Sequence, residues 1–380
     1  MASILRRLPW PGRAWKPIAF SNSNFARIPL EEKIEEELFP DYLASRYYPV
    51  RIGEILRDRY QIVGKLGFGA TSTVCGRRHV ALKLFVNSES MGKQLEHELS
   101  MYRRISTSAA KHPGREAVRN LLDSFNVSGP DGFHRCLVHP PLWESTQTFL
   151  HRNPVRRLPS PVLAFILRRL FLALEFLHVE CQMIHTDIKV DNIMFGINDD
   201  SVFTAFEEQE LHEPSPRKLV DDGRAIYLSR ELQMPKDWGA PVLCDFGSAI
   251  IDDREHLEDV QPDIYRAPEV ILEAPWSNQI DIWNTGCMIW DLFEGGHLFT
   301  GQGMEHQTYR SRAHLAEIAA LLGPPPRALL KSGKSSHKFF TDQADRERFL
   351  AMMRKMLQWD PVKRSSAKEL AEDEWITTSI

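Results

Sequence analysis

The sequence predicts an α+β fold: a strand-rich N-terminal part with one main helix, then a larger helical part. Three observations carry this. Two β-patterned segments, "RYQIVGKL" (59–66) and "VALK" (80–83), flank a glycine-containing turn, "LGFGATSTV" (66–74). A charged helical segment, "QLEHELSMYRRI" (94–105), comes next in the chain. Two later segments, "PVLAFILRRLFLALEFLH" (161–178) and "DIWNTGCMIWDLFEGG" (281–296), are apolar on most sides, as buried helices are.

Composition bounds the reading. At 380 residues the chain is long enough for a large core or two lobes. It is 43% hydrophobic and 26% charged, ordinary for a globular protein. The net charge of −4 implies no general attraction to nucleic acid or an anionic membrane. Arg168 and Arg169 interrupt the most apolar stretch, so it reads as a buried helix and not a membrane span. Cysteines 75, 136, 181, 244 and 287 show no CxxC pair and no metal-ligand spacing, which fits a reduced intracellular protein.

Residues 1–30 hold four arginines, one lysine and no acid. That is the composition of a mitochondrial presequence. Pro9, Pro11 and Pro17 would break its helix, so a disordered tail over 1–46 is the preferred expectation. Within it, "EEKIEEELFPDY" (31–42) reads as a short solvated helix. The cytoplasm or nucleus is the expected location.

Gly67 and Gly69 let backbone approach a phosphate closely, with Leu66, Phe68, Ala70, Thr71 and Ser72 completing the turn. Ser72 stands where a third glycine of G-x-G-x-x-G would fall. By itself such a segment reads as an ordinary β-turn. Lys83 ends the next strand, where it could pair with phosphate oxygens given a carboxylate partner. Glu98 and Glu96 are the candidates on the helix.

The loop "IHTDIKVDNIMF" (184–195) concentrates the chemistry. Asp187 can accept a hydroxyl proton, Lys189 can neutralise a transferring phosphoryl group, and the Asn192 amide oxygen can hold Mg²⁺. In "VLCDFGSA" (242–249), Asp245 ends an apolar strand before a glycine turn, the place for a second metal-binding acid. "APE" comes later, at 267–269. Order and chemistry match the protein-kinase signature set.

From about residue 47 onward the chain resembles a eukaryotic protein kinase. More narrowly it resembles the serine/arginine-protein kinase (SRPK-like) family of fungal type, on "YYPVRIGEILRDRYQIVGKLGFG", "STV", "IHTDIK" and "LLGPPPRALLKSGKSSHKFF". "HTD" is the most specific local mark. The resemblance implies a bilobal protein-kinase fold: N-lobe 47–139, then hinge and C-lobe 140–377 with a polar insert at about 196–241. It implies ATP with Mg²⁺, transfer to Ser or Thr, and a protein substrate, with no direct binding to nucleic acid or membrane and action as a monomer. The 15-residue step from Lys83 suits Glu98 over Glu96. His139 would be the gatekeeper, with adenine on the Pro140 carbonyl and the Leu142 N–H, under Val74 and Ala81. Asp281 would brace the catalytic-loop backbone, and Arg364 would pair with Glu269.

Two substitutions bear on regulation and substrate. Thr186 stands where phosphorylation-switched kinases place an arginine beside the catalytic Asp, so activity is expected without activation-loop phosphorylation. The loop 248–264 holds Asp252, Asp253, Glu255, Glu258, Asp259 and Asp263, which predicts basic substrates, including Arg/Ser-rich ones. Against the latter, the segment 309–323, acidic in the family, offers arginines and alanines with Glu317 as its one acid.

From Val74 to Ala81 the hairpin is about six residues shorter than kinases commonly use. If Val74 faces Ala81, the turn falls on Arg77-Arg78, a poor choice where tight hairpins want φ > 0 residues. Three readings compete, in order of preference: a short coding segment has been lost, the stub works, or the protein is a catalytically weak, pseudokinase-like scaffold.

Overall fold

The computed structural model describes residues 17–379, apart from 70–71, 76–79, 88, 109–110, 156, 221–222, 304–305, 341–342, 357, 359–360 and 372. The expected turn residues Ala70, Thr71, Arg77 and Arg78, and the presequence-like residues 1–16, therefore lie outside the described residues. Two compact units are present. The first comprises the chain up to His185 with Lys189–Ile251; the second comprises Thr186–Ile188 with Asp252–Ile380. Among the described residues no helix is long and apolar enough to cross a membrane.

A five-stranded antiparallel sheet organises the first unit, in the order Gly67–Gly69, Ser72–Cys75, Ala81–Phe85, Gly132–His139, Asp123–Gly129. The period of 2 along a strand does the sorting. Leu82 and Leu84 join a buried cluster with Phe125, Val127, Cys136 and Val138. Lys83, between them, points to the other face, where the Glu89–Thr107 helix carries Glu98. The strand read over 59–66 is shorter than expected: only Tyr60–Gln61 pairs, with Ile55–Leu56.

The hairpin register differs from expectation. Val74 faces Lys83 and Cys75 faces Leu82, so Val74 does not face Ala81. The shift leaves residues 76–81 between the last paired positions. Because the shift is even, inward and outward positions are conserved.

The expected disordered tail is also corrected for residues 17–46. Ile18 donates its N–H to Gln61 (2.9 Å) and Ile28 donates to the Arg217 carbonyl (3.1 Å). The expected solvated helix is a single 3₁₀ turn, Glu35–Leu38, with Glu35 and Glu36 buried. Each glutamate meets a fixed donor. Lys65 Nζ lies 2.5 Å from Glu36 and 3.3 Å from Glu35. Ser229 donates N–H and O–H to Glu35 (2.8 and 2.7 Å), and Lys218 Nζ lies 2.6 Å from Glu37. A run of glutamates looks solvated only until its buried partners are known.

Those partners lie largely in the insert. It contains the Ser201–His212 helix and a hairpin of Arg217–Leu219 with Ala225–Tyr227. Glu210, 2% exposed, accepts from Ser215 and pairs with Arg217 and Arg230. The Phe206 ring lies so close to Gly64 that a Cβ there would meet it at 2.6 Å. The compact units do not divide at 139/140. Arg119, in the segment leading to the Asp123–Gly129 strand, donates its N–H to the Leu243 carbonyl, across that boundary.

In the second unit the Gln279–Glu294 helix ends at Gly295, left-handed at φ 78°. Cys287 of this helix joins Leu272, Phe299 and Leu315 in a buried cluster. The ion pair expected between Glu269 and Arg364 is not made. Arg364 is exposed and donates to the Gln358 carbonyl at 3.0 Å, while burial pushes the Glu269 carboxyl up from its ordinary value.

Candidate active site

Lys83 is held from two sides. Its Nζ lies 3.1 and 3.2 Å from the Glu98 carboxylate oxygens and 4.0 Å from Asp245 Oδ1. Glu98 is 2% exposed, which makes it an anchor; Glu96 is exposed and reaches Arg135 at 3.5 Å. Strand parity sends Lys83 to that face, and the helix brings Glu98 back to it.

Asp245 has φ +65°, a turn that frees its half-exposed side chain at the end of the Trp238–Leu243 strand. Burial works to raise its pKa. The Lys83 ammonium and the Gly247 N–H work against that, and the carboxyl ends below its ordinary value. Phe246 is fully buried. Its ring meets Tyr102 at 5.3 Å and His185 at 5.4 Å, and His185 Nε2 bonds the Cys244 carbonyl at 3.0 Å. This stack ties the Asp245 turn to the helix bearing Glu98.

Asn192 closes a 3₁₀ turn, Val190–Asn192, that begins after Lys189. Its carbonyl accepts from Cys244 N–H at 2.7 Å, so Asn192 and Asp245 sit on neighbouring strand ends. Both offer hard oxygen donors, the kind Mg²⁺ takes. Among the described residues no three His, Cys, Asp or Glu side chains form a metal cage. Mg²⁺ commonly binds through one or two carboxylates plus substrate phosphates, so this donor set suits it.

Asp187 belongs to the Thr186–Ile188 segment of the second unit, two residues before Lys189 in the chain. There Thr186, at φ +66°, donates its N–H to Asp281 at 2.8 Å, and Asp281 is fully buried. A left-handed non-glycine residue is strained unless its surroundings hold it, and Asp281 does so.

A cleft of about 360 Å³ is lined by Leu66, Gly67, Ala81 and Leu142 among the residues read from the sequence. Met194, Arg119 and Leu232 also line it, and sequence reasoning missed them. Met194 could have been inferred from its place two residues after Asn192; Leu232 arrives from the insert without a local signal. Pro140 is half-buried outside that lining, and Phe68, Gly69, Ser72 and Val74 are placed by their backbone pairing. His139 is 1% exposed, with Nδ1 bonded to the Asn120 carbonyl at 2.9 Å. Burial, helped by the Arg119 charge, holds its pKa well below the usual value.

In the second unit the loop after Ile251 is fastened by its own side chains. His256 stacks on Trp276 at 4.9 Å, and Trp276 Nε1 donates to the Glu258 carbonyl. Gln261 donates to Ile280 and Asn284 and accepts from Ala267. Arg266 pairs with Asp259 and Asp263.

The protein kinase domain matches residues 60–376. A serine/threonine protein kinase of Aspergillus fumigatus is 38% identical, over 99% of this chain and 98% of its own length. Serine/threonine-protein kinase SRPK of Physarum polycephalum is 27% identical over 89% of this chain and 90% of its own. Human SRSF protein kinase 3 is 23% identical over 90% of each. A crystal structure of a kinase domain superposes with a TM-score of 0.59 at 21% identity, covering 87% of this chain and 99% of that one, and supports the fold alone.

Proposed function

The chain belongs to the protein kinase domain family and is a serine/threonine protein kinase, related to the SRPK group; we propose that it phosphorylates basic protein substrates without prior activation-loop phosphorylation. The observation that carries the catalytic part is the Lys83–Glu98 pair beside Asp245. In this reading Gly67, Gly69 and Lys83 hold the nucleotide phosphates, Asn192 and Asp245 hold Mg²⁺, and the cleft at Ala81 and Leu142 takes the purine. ATP supplies the γ-phosphoryl group, and Mg²⁺ balances its charge. Asp187 accepts the proton of the substrate hydroxyl. The hydroxyl oxygen forms a bond to the γ-phosphorus as the bond to the bridging β,γ oxygen breaks. Lys189 offsets charge on the transferred group.

The acidic loop supports basic substrates, with a refinement. Asp252, Glu258, Asp259 and Asp263 already have partners, while Asp253 and Glu255 are exposed with none among the described residues. Charge selection would therefore rest on those two. With ATP and Mg²⁺, a basic Ser peptide is expected to be turned over faster than an acidic one. Asp253→Asn with Glu255→Gln should narrow that preference several-fold. Equal rates on both peptides would remove the proposed substrate class.

Independence from phosphorylation is supported by Thr186 and by the fastened loop. Phosphatase-treated protein is expected to retain its full rate, measured by transfer of radiolabelled phosphate. A drop of about tenfold after treatment, or 1.4 kcal/mol in the barrier, would overturn the proposal.

A further inference from the structure

One cation in the nucleotide cleft has no acceptor among the described residues. Arg119 lines the cleft of about 360 Å³ together with Ala81 and Leu142. Its backbone is pinned on both sides: its N–H donates to the Leu243 carbonyl, and the next carbonyl, of Asn120, bonds His139 Nδ1 at 2.9 Å. Its side chain makes no hydrogen bond and no ion pair among the described residues. Of the guanidinium nitrogens only Nε is sealed from solvent, so both Nη groups are accessible.

The carboxylates nearby are engaged elsewhere. The described acids lining the cleft, Glu144 and Glu231, both pair with Arg152. Glu98 and Asp245 serve Lys83. A guanidinium withdrawn from water without an acceptor is unfavourable, so the group that enters the cleft is the one to supply it.

On the kinase reading that group is the purine. A base set against Pro140–Leu142 turns its neighbouring edge, with N7 and the 6-substituent, toward His139 and the adjoining Arg119. Guanine presents two acceptors there, O6 and N7, which an arginine can bond as a pair. Adenine presents N7 beside the N6 amine, a donor that a guanidinium, itself donor-only, cannot bond. The chain at 140–142 agrees. Pro140 and Pro141 carry no N–H, so these three residues offer three carbonyls and one N–H. Guanine brings two donors to carbonyls, its N1–H and its 2-amino group. His139 is 1% exposed and outside the lining, so it does not meet the base.

We propose that Arg119 reads the purine and admits a 6-oxopurine nucleotide, so that GTP serves as a phosphoryl donor beside ATP. The inference rests on the kinase reading and adds the choice of base to it. The transfer is the one already described, with GDP leaving in place of ADP.

Calorimetry with Mg²⁺ and each nucleotide tests it on the full chain, beside transfer to a basic Ser peptide. The wild type is expected to bind GTP within about tenfold of ATP and to transfer from both. 7-Deaza-GTP, which lacks the N7 acceptor, should bind about tenfold more weakly than GTP, the scale of a paired arginine–guanine contact. On Arg119→Val the affinity for GTP relative to ATP should fall about tenfold, and 7-deaza-GTP should bind like GTP. An arginine with a structural role alone would change all three nucleotides alike, and that outcome overturns the proposal. Equal binding of GTP and 7-deaza-GTP by the wild type overturns it too, with no variant needed. So does GTP bound about a hundredfold more weakly than ATP. Transfer from ATP with none from GTP would end the inference and leave the kinase reading standing. The expected binding with transfer from neither nucleotide would count against the kinase reading and leave the reading of the base by Arg119 intact.

Discussion

Asp187→Ala is expected to lower kcat by about 10²–10⁴, the usual range for a positioned general base, and to leave nucleotide affinity within about twofold. Asp245→Ala should lower both. The two carboxylates differ in what surrounds them. Asp245 lies 4.0 Å from the Lys83 ammonium, which lies 3.1 Å from Glu98. Removing Asp245 takes away a metal ligand in the proposed mechanism and leaves Lys83 with one counter-charge. Mg²⁺-dependent binding of nucleotide should therefore weaken at least tenfold, a difference of about 1.4 kcal/mol. Lys83→Met should resemble Asp245→Ala, because it leaves Glu98, 2% exposed, without its cation. Calorimetry with and without Mg²⁺, beside single-turnover transfer, separates the cases. Wild-type turnover by Asp187→Ala would end its assignment as base.

Lys65→Ala is expected to cost about 3–5 kcal/mol in stability, as breaking a buried pair by removing one partner does. Lys65 is 4% exposed, and its ammonium serves Glu36 (2.5 Å), Glu35 (3.3 Å) and the Tyr227 carbonyl (3.1 Å). Without it two carboxylates remain buried with fewer partners. Against a typical total stability of about 5–15 kcal/mol this is a large share. The loss should extend to function, because Lys65 leads directly into Leu66 and Gly67 at the cleft. Releasing it frees the strand that positions the glycine turn, so the KM for ATP should rise. Adding Glu36→Gln to Lys65→Ala should recover part of the stability, since it removes one stranded charge. Urea unfolding monitored by Trp fluorescence would decide. A loss below about 1 kcal/mol for Lys65→Ala, the range of an exposed pair, would show that the N-terminal segment contributes little.

What the sequence offered by itself is the candidate chemistry. Asp187, Lys189 and Asn192 fall within one short loop, and Asp245 stands before its own glycine turn. Such signals are local: a reactive side chain, a turn residue and a flanking apolar strand suffice to read them. The two long apolar helices were legible for the same reason, because a buried helix shows in its own composition.

The tertiary structure decided whatever depended on a distant partner. The family spacing already favoured Glu98 over Glu96 on the same helix, and the structure adds the reason: Glu98 is buried beside Lys83 while Glu96 is exposed. The hairpin register is set by the pairing of Val74 with Lys83, which chain length alone did not reveal. The glutamates at 35–37 read as solvated, yet Glu36 finds its partner 29 residues away at Lys65 and Glu37 finds its own 181 residues away at Lys218. Arg364 missed Glu269, because an exposed turn offered it a nearby carbonyl. A charged side chain carries no mark of its partner in its own neighbourhood of sequence. Its environment is set when the chain folds and the cost of burying it has to be met by whichever opposite charge or hydrogen bond arrives there.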